Sequence, residues 1–176
     1  MEGELISKED AASQVRQMGR MMAALYYHIS YQLIESVGTE QAKQIIQQAI
    51  EALGAERGGE QKEKVVAAGY EHIPENYSKV PDLPALGWEV QPAENGENST
   101  HIKITYCPFA EIWKEKNFAE FGRLYCTIDQ AKYQGFHSDS NLVTLKNVLE
   151  GDEYCEMVCR RKHPGNSNAR NLNDRS

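Results

Sequence analysis

The sequence predicts an α+β fold: N-terminal helices packed on a small antiparallel sheet of about four strands, with a helical insertion between hairpins. Three observations carry this. Residues 10–68 repeat their apolar side chains at helical spacing. Residues 88–106 and 142–161 switch to a spacing of two, and the stretch between them returns to helical spacing. At 176 residues the chain suits one domain with a buried core. We read 1–162 as a single α+β domain and 163–176, rich in Asn, Ser and Arg, as a disordered tail.

In residues 10–37, Val15, Met18, Met22, Leu25, Ile29, Leu33 and Ile34 form one apolar stripe, expected to face the core. Ser7 with Asp10 is a capping signal, Gly38 a C-cap, and Thr39 an N-cap for the next helix. Met18, Met21 and Met22, with Tyr26, Tyr27 and Tyr31, read as core packing; the alternatives are a pocket lining or a dimer seam. A second helix covers 39–55, with Ala42, Ile45, Ile46, Ala49, Ile50 and Leu53 as its face. Gly54, Gly58 and Gly59 are expected to break it. The Gly58-Gly59 pair reads as a flexible link, since the spacing of a phosphate loop is missing. A third helical piece, 60–68, ends at Gly69. Pro74, Pro81 and Pro84 make 70–86 an irregular connection, either a functional loop or a wrapping linker.

The first hairpin joins strands at 88–91 and 100–106 through Glu94-Asn95-Gly96-Glu97, because Asn-Gly tolerates the positive φ of a tight turn. Pro108 stops the second strand. A short helix at 109–115 and a longer one at 118–133 follow, and Gly135 ends the latter. Strands at 142–148 and 154–161 flank the turn Glu150-Gly151-Asp152. Cys155, Met157 and Cys159 share one face of the last strand, since side chains alternate.

The formal net charge is −7, with no basic cluster in the body of the chain, which excludes nucleic acid as an expected partner. No run of 18 apolar residues predicts a membrane span. Glu2, Glu4, Glu9 and Asp10 are the wrong charge for a secretory leader, so the expected location is cytoplasmic. There, Cys107, Cys126, Cys155 and Cys159 are expected as thiols, metal ligands or catalytic groups rather than disulfides.

The stretches YCPFAEIW, LYCTIDQAKYQGF and TLKNVLEGDEYCEM resemble the L-2-amino-thiazoline-4-carboxylic acid hydrolase family, and the likeness runs from about residue 16 to 161. Its most specific pieces are Tyr125-Cys126 with Asp129, Gly135-Phe136, and Gly151-Asp152 with Tyr154-Cys155. The resemblance implies hydrolytic opening of a thiazoline ring. The last motif is also similar to the vinyl-reductase-type ligand-binding domains of aromatic-responsive regulators, which share the trafficking-complex subunit fold and hold a structural zinc. The positions that would correspond are Cys126, Thr144, Asn147 and Cys155. Thr144 and Asn147 are poor zinc ligands, and the sequence departs from that pattern there.

Opening a C=N bond needs a nucleophile and a proton donor for the leaving atom. Cys126 is the first candidate nucleophile, near the middle of its expected helix and one turn before Asp129. Cys107, at a strand end, is the second. Asp129 and Asp152 are candidate bases or orienting groups, and His137 and His101 candidate proton carriers. Tyr125, His137, Cys155 and Trp113 are candidate substrate-binding residues, with Glu111 a further pocket lining. Each has an ordinary structural alternative: a packed thiol, a surface carboxylate, a turn Asp bonded to its own backbone, a core Trp. Cys155 and Cys159 lie about 13 Å apart along a strand, too far to share an ion. No metal or cofactor is expected. The expected partner is a small-molecule substrate, and the Met-rich first helix is a candidate homodimer seam. The second functional reading is a non-catalytic small-molecule-binding or sensor domain.

Overall fold

The computed structural model describes residues 6–83, 85–92 and 99–162. The expected Asn95-Gly96 turn and the tail beyond 162 lie outside these residues. In chain order come α1 (Lys8–Val37), α2 (Thr39–Ala67), β1 (Glu89–Pro92), β2 (Ser99–Tyr106), α3 (Pro108–Glu115), α4 (Ala119–Tyr125), α5 (Thr127–Phe136), β3 (Ser140–Lys146) and β4 (Cys155–Arg161). Short 3-10 turns occupy Pro74–Lys79 and Ala85–Gly87. The sheet is antiparallel throughout, in the order β1-β2-β4-β3. This is the α+β architecture that the change of periodicity predicts. In register, Ile102 faces Met157 and Leu142 faces Cys159. Their side chains meet Tyr133 and Phe136 of α5 and Val65 of α2 in one apolar cluster.

The caps of α1 form as read. The Ser7 hydroxyl oxygen accepts the Asp10 N–H at 3.0 Å, and Gly38 ends the helix at φ 81°, a conformation that favours glycine. Thr39 is not an N-cap; it is the first residue of α2, and Gly38 holds the cap position.

The middle of the apolar stripe of α1, from Met18 to Ile29, points the other way from the expectation. Met18, Met21, Met22, Leu25 and Ile29 are 52–61% exposed, while Gly19, Ala23 and Ser30 are buried. Close approach decides this. A Cβ at Gly19 would stand 3.0 Å from Pro108 Cγ at the start of α3, so the small-residue side of α1 admits the neighbouring helix. Tyr26 and Tyr27 reach over it into the aromatic cluster around Trp113 and Phe118. Met18, Met21, Met22, Leu25 and Ile29 are left outside, whereas Leu33 and Ile34 at the end of the stripe pack against the core.

Helix α2 is unbroken, which corrects the expected break and flexible link at Gly54, Gly58 and Gly59. Its buried stripe is Ala42, Ile46, Ile50, Gly54, Gly58, Gln61 and Val65. Helix α5 lies directly on the two glycines. A Cβ at Gly58 would stand 2.6 Å from Phe136 N, and one at Gly54 2.8 Å from the Ile128 carbonyl oxygen. From the other side, a Cβ at Gly135 would stand 2.7 Å from the Ala55 carbonyl oxygen. Each glycine weakens an isolated helix by about 1 kcal/mol, but the backbone contact admits nothing larger. The expected third piece at 60–68 is the C-terminal end of this same helix.

The expected helix at 118–133 is two helices that meet at Cys126, so that residue sits at a junction and not in mid-helix. Two packing demands set different directions. Gly122 forms a notch for Trp113, whose Cε3 would be 2.6 Å from an added Cβ, and this orients α4. The glycine contact with α2 orients α5. Thr127 bridges the junction, its hydroxyl donating to the Leu124 carbonyl at 2.7 Å. Fully buried Gln61 latches the irregular segment onto α2, its amide donating to the Tyr77 and Val80 carbonyls at 2.9 and 2.6 Å.

The two adjacent glycines of α2 therefore respond oppositely to alanine. Gly58→Ala is expected to destabilise the fold by about 2 kcal/mol or more. Gly59→Ala, with nothing within 4 Å of its added Cβ, is expected to stabilise it by about 0.5–1 kcal/mol. Urea unfolding midpoints of the two variants check this.

Candidate functional site

The break between α4 and α5 puts Cys126 at the start of α5. Its Sγ–H donates to the Gly122 carbonyl at 3.5 Å. The side chain of Asn147, 2% exposed, hydrogen-bonds to the sulfur. Asn147 Oδ1 already accepts the Leu149 N–H at 2.9 Å, so its NH2 end faces the thiol. Asp152 fixes this arrangement, because its Oδ2 accepts the Asn147 N–H at 2.7 Å. The next residue of the same turn, Val148, donates its N–H to Cys155 Sγ at 3.4 Å. Cys107 occupies the cap position of α3, within electrostatic range of both Cys126 and Cys155.

These thiols rest protonated. Burial pushes Cys126 up to about 12 against the favourable Asn147 contact, and the acidic neighbours Cys107 and Asp129 add to the rise. Burial also raises Cys107, although the Ala110 and Phe109 amides and the Trp88 side chain all favour its thiolate. Cys155 is raised by burial despite the Val148 amide.

Beside the thiols lies a cluster of charges. Asp129, one turn into α5, accepts the Lys132 ammonium on Oδ1 at 3.0 Å. Lys132 also reaches Asp82 Oδ2 at 3.0 Å, and Arg57 of α2 reaches the same oxygen at 2.6 Å. The Tyr77 hydroxyl donates to it at 3.5 Å. The Arg57, Asp82 and Lys132 side chains are 20%, 17% and 12% exposed. Burial opposes ionisation of Asp82, and Lys132 and Arg57 outweigh it, holding the carboxyl below its ordinary value. Tyr125 lies within electrostatic range of both groups. Its ring packs on Tyr26, Phe109 and Trp113, burial raises its phenol, and the Arg57 charge opposes that rise.

Of the residues singled out from sequence, Cys126, Asp129, Cys107, Cys155 and Tyr125 come together, and Asp152 acts on them through Asn147. Trp113 does not line an opening: it is 1% exposed, and its indole N–H donates to the Ala23 carbonyl at 3.1 Å. His137 caps the far end of α5, about 16 Å along the helix from Cys126, and its Nδ1 accepts the Asp139 N–H. Cys159 packs in the sheet-side core. His101 lies on the sheet with its Nδ1 3.9 Å from Glu156. Glu111 pairs with Arg20 and accepts the Tyr106 hydroxyl at 2.7 Å. Sequence reasoning missed Arg57, Asp82 and Lys132, and it noted Asn147 only as a poor zinc ligand and not as the partner of Cys126. The Asp129–Lys132 spacing was a readable helical pair. Arg57 was hidden by the supposed flexible link beside it, and Asp82 by its irregular segment. Among the described residues, no three of His, Cys, Asp and Glu gather to hold a metal ion, and no helix is long and apolar enough to cross a membrane.

A thiol raised in the native state keeps a proton that the unfolded chain releases near pH 8.5. Its stabilising effect is intact below that pH and is lost as pH rises toward about 12 for Cys126. Stability in urea is therefore expected to decline between pH 9 and 11, less steeply in Cys126→Ser. At pH 7.5, alkylation of Cys126 by iodoacetamide is expected to be about 10²-fold or more slower than that of an unstructured peptide thiol.

The fold has solved relatives. The phenol-responsive sensory domain of the transcription activator PoxR, determined with phenol, aligns with a TM-score of 0.56 at 14% identity, over 79% of this chain and 73% of that one. A trafficking protein particle complex subunit 3 from Naegleria fowleri, covalently bound to palmitic acid, aligns with a TM-score of 0.50 at 13% identity, over 82% and 95%. At such identities the likeness concerns the fold alone. No curated protein matches the sequence. The family described as L-2-amino-thiazoline-4-carboxylic acid hydrolase matches residues 17–158, which include all the clustered thiols and charges above, and the chain belongs to that family.

Proposed function

We propose that this chain hydrolyses a C–N or C–S bond of a small, thiazoline-like cyclic substrate at the start of α5. The observation that carries this reading is the family match across 17–158, which spans Cys126 and Asp129. Cys126 acts as nucleophile. Because the thiol rests protonated, its proton leaves during attack, to Asp129. The sulfur bonds to the C=N carbon, and the electron pair moves to nitrogen, which takes the proton. The lone pair on nitrogen then re-forms the C=N bond as the ring bond to sulfur breaks, and the departing sulfur takes a proton; water, giving its proton to Asp129, adds to the same carbon, and Cys126 leaves and regains its proton from Asp129. Asn147, held by Asp152, orients the sulfur; Cys107, Cys155 and Tyr125 flank the substrate.

A non-catalytic binding domain is the second reading. What favours it is the burial that raises all four thiols above their ordinary value. The bound phenol and palmitic acid of the two solved relatives accord with a scaffold that takes small apolar molecules. All four cysteines are free, which accords with a reducing, cytoplasmic setting.

The assembly in this reading is a homodimer through α1. Met18, Met22, Leu25 and Ile29 recur at alternating spacings of four and three, the pattern of a helix-pairing seam, and all are exposed. Residues 13–34 contain no Asp or Glu, so two copies of a chain of net charge −7 can meet there without repulsion between carboxylates.

With L-2-amino-thiazoline-4-carboxylate as substrate, Cys126→Ser is expected to lower kcat by about 10²-fold or more with little change in KM. Cys159→Ser should leave turnover intact. A wild-type rate in Cys126→Ser would sink the thiol step, and binding without turnover would favour the second reading. For the dimer, sedimentation of Met22→Glu/Leu25→Glu is expected to give a monomer where the parent chain gives a dimer. An unchanged mass would remove α1 from the interface.

A further inference from the structure

The Arg57–Asp82–Lys132 cluster brings two cations from separate helices onto one carboxylate oxygen. Its two cations sit on α2 and α5, whose relative position is fixed by the backbone contact at Gly54, Gly58 and Gly135. Both reach one point, which Asp82 Oδ2 occupies. The carboxylate comes from the irregular segment 70–83, held to α2 through its backbone by Gln61. All three donors crowd one oxygen, Asp82 Oδ2, at 2.6, 3.0 and 3.5 Å. A free carboxylate could offer one oxygen to the guanidinium and the other to the ammonium, the better geometry for two cations. Stability alone does not account for the cluster, because half-buried ion pairs repay little beyond their own desolvation. Its location does suggest a use. Lys132 also holds Asp129, one turn beyond Cys126, and the Arg57 charge acts on Tyr125.

We propose that Arg57 and Lys132 are the binding pair for the carboxylate of a small acidic substrate, and that Asp82 is the internal carboxylate that occupies the pair until substrate displaces it. The inference rests on the hydrolase reading for the identity of the acid, and it deepens that reading by naming the residues that select it. An acid held there lies beside the thiol group, with Tyr125 in range of both, so the same contact that selects the substrate also orients its ring. Tyr77, stacked on Tyr133, supplies a third donor to whichever carboxylate is present.

The test compares acid and amide pairs: L-2-amino-thiazoline-4-carboxylate with its carboxamide, and benzoate with benzamide, by calorimetry. Asp82→Asn is expected to bind the acids about tenfold tighter, and Arg57→Gln and Lys132→Gln about tenfold or more weaker, with the amides unchanged throughout. Equal losses for acid and amide, or no gain in Asp82→Asn, would make the cluster a structural staple and overturn the proposal. Should Asp82→Asn not fold, tryptic cleavage of the parent chain after exposed Lys79 decides the matter. The acids are expected to accelerate it and the amides not; protection, or no acid effect, overturns the proposal. If neither acid binds the parent chain or Asp82→Asn, the proposal fails, while hydrolysis is still judged by turnover. Equal kcat/KM on thiazoline acid and amide likewise defeats it and leaves the hydrolase reading standing. Acid selectivity without turnover does the reverse.

Discussion

The backbone contact between α2 and α5 is the constraint on which the rest of the molecule depends. Gly54 and Gly58 on one helix and Gly135 on the other bring main chain against main chain, closer than any side chain permits. Arg57 lies beside Gly58 in sequence and Lys132 three residues before Gly135, so the same contact brings the two cations together. Because α5 must follow α2 while α4 must follow Trp113, the chain breaks at Cys126. The position of the thiol is thus a consequence of packing: Cys126 lies four residues after Gly122 and nine before Gly135, between the two contacts that set the directions of α4 and α5.

Much of this was legible in the sequence, and what was not has a physical reason. Strands and helices were readable because side-chain spacing reports them directly. The capping of α1 by Ser7 and Gly38 was readable because caps depend on local chemistry. Which face of a helix turns inward depends on its neighbour. Met18, Met22, Leu25 and Ile29 made the stronger stripe on α1, yet α3 required the small side. Gly58 and Gly59 carry identical local signals, and only the presence of α5 separates a packing residue from one with open space beside it. The candidate site was half legible. Cys126, Asp129 and Cys155 stood in recognisable motifs, whereas Arg57 and Asp82 lie 25 residues apart and meet only through the fold.

The site joins two electrostatic regimes within range of Tyr125. On one side, burial holds Cys107, Cys126 and Cys155 neutral, which protects them from indiscriminate reaction and demands a base at the moment of use. On the other side, two cations and two carboxylates neutralise one another in a half-buried cluster. The turn that follows β3 connects them to the sheet: Asp152 holds Asn147, and Asn147 holds the sulfur. In this account the sheet, α5 and α2 each contribute one part of a single site, and the thiol becomes reactive only when a substrate brings its electrophilic carbon alongside.

The central claim is that the substrate becomes bonded to Cys126. Rapid acid quenching during turnover of L-2-amino-thiazoline-4-carboxylate, followed by tryptic mass mapping, tests it directly. Residues 124–132 fall in one tryptic peptide that contains Cys126 and no other cysteine. The account predicts a substrate-derived mass on that peptide that rises within the first turnover and decays as substrate is consumed. Turnover with that peptide unmodified at every time, or with the mass only on peptides carrying Cys107, Cys155 or Cys159, would contradict it.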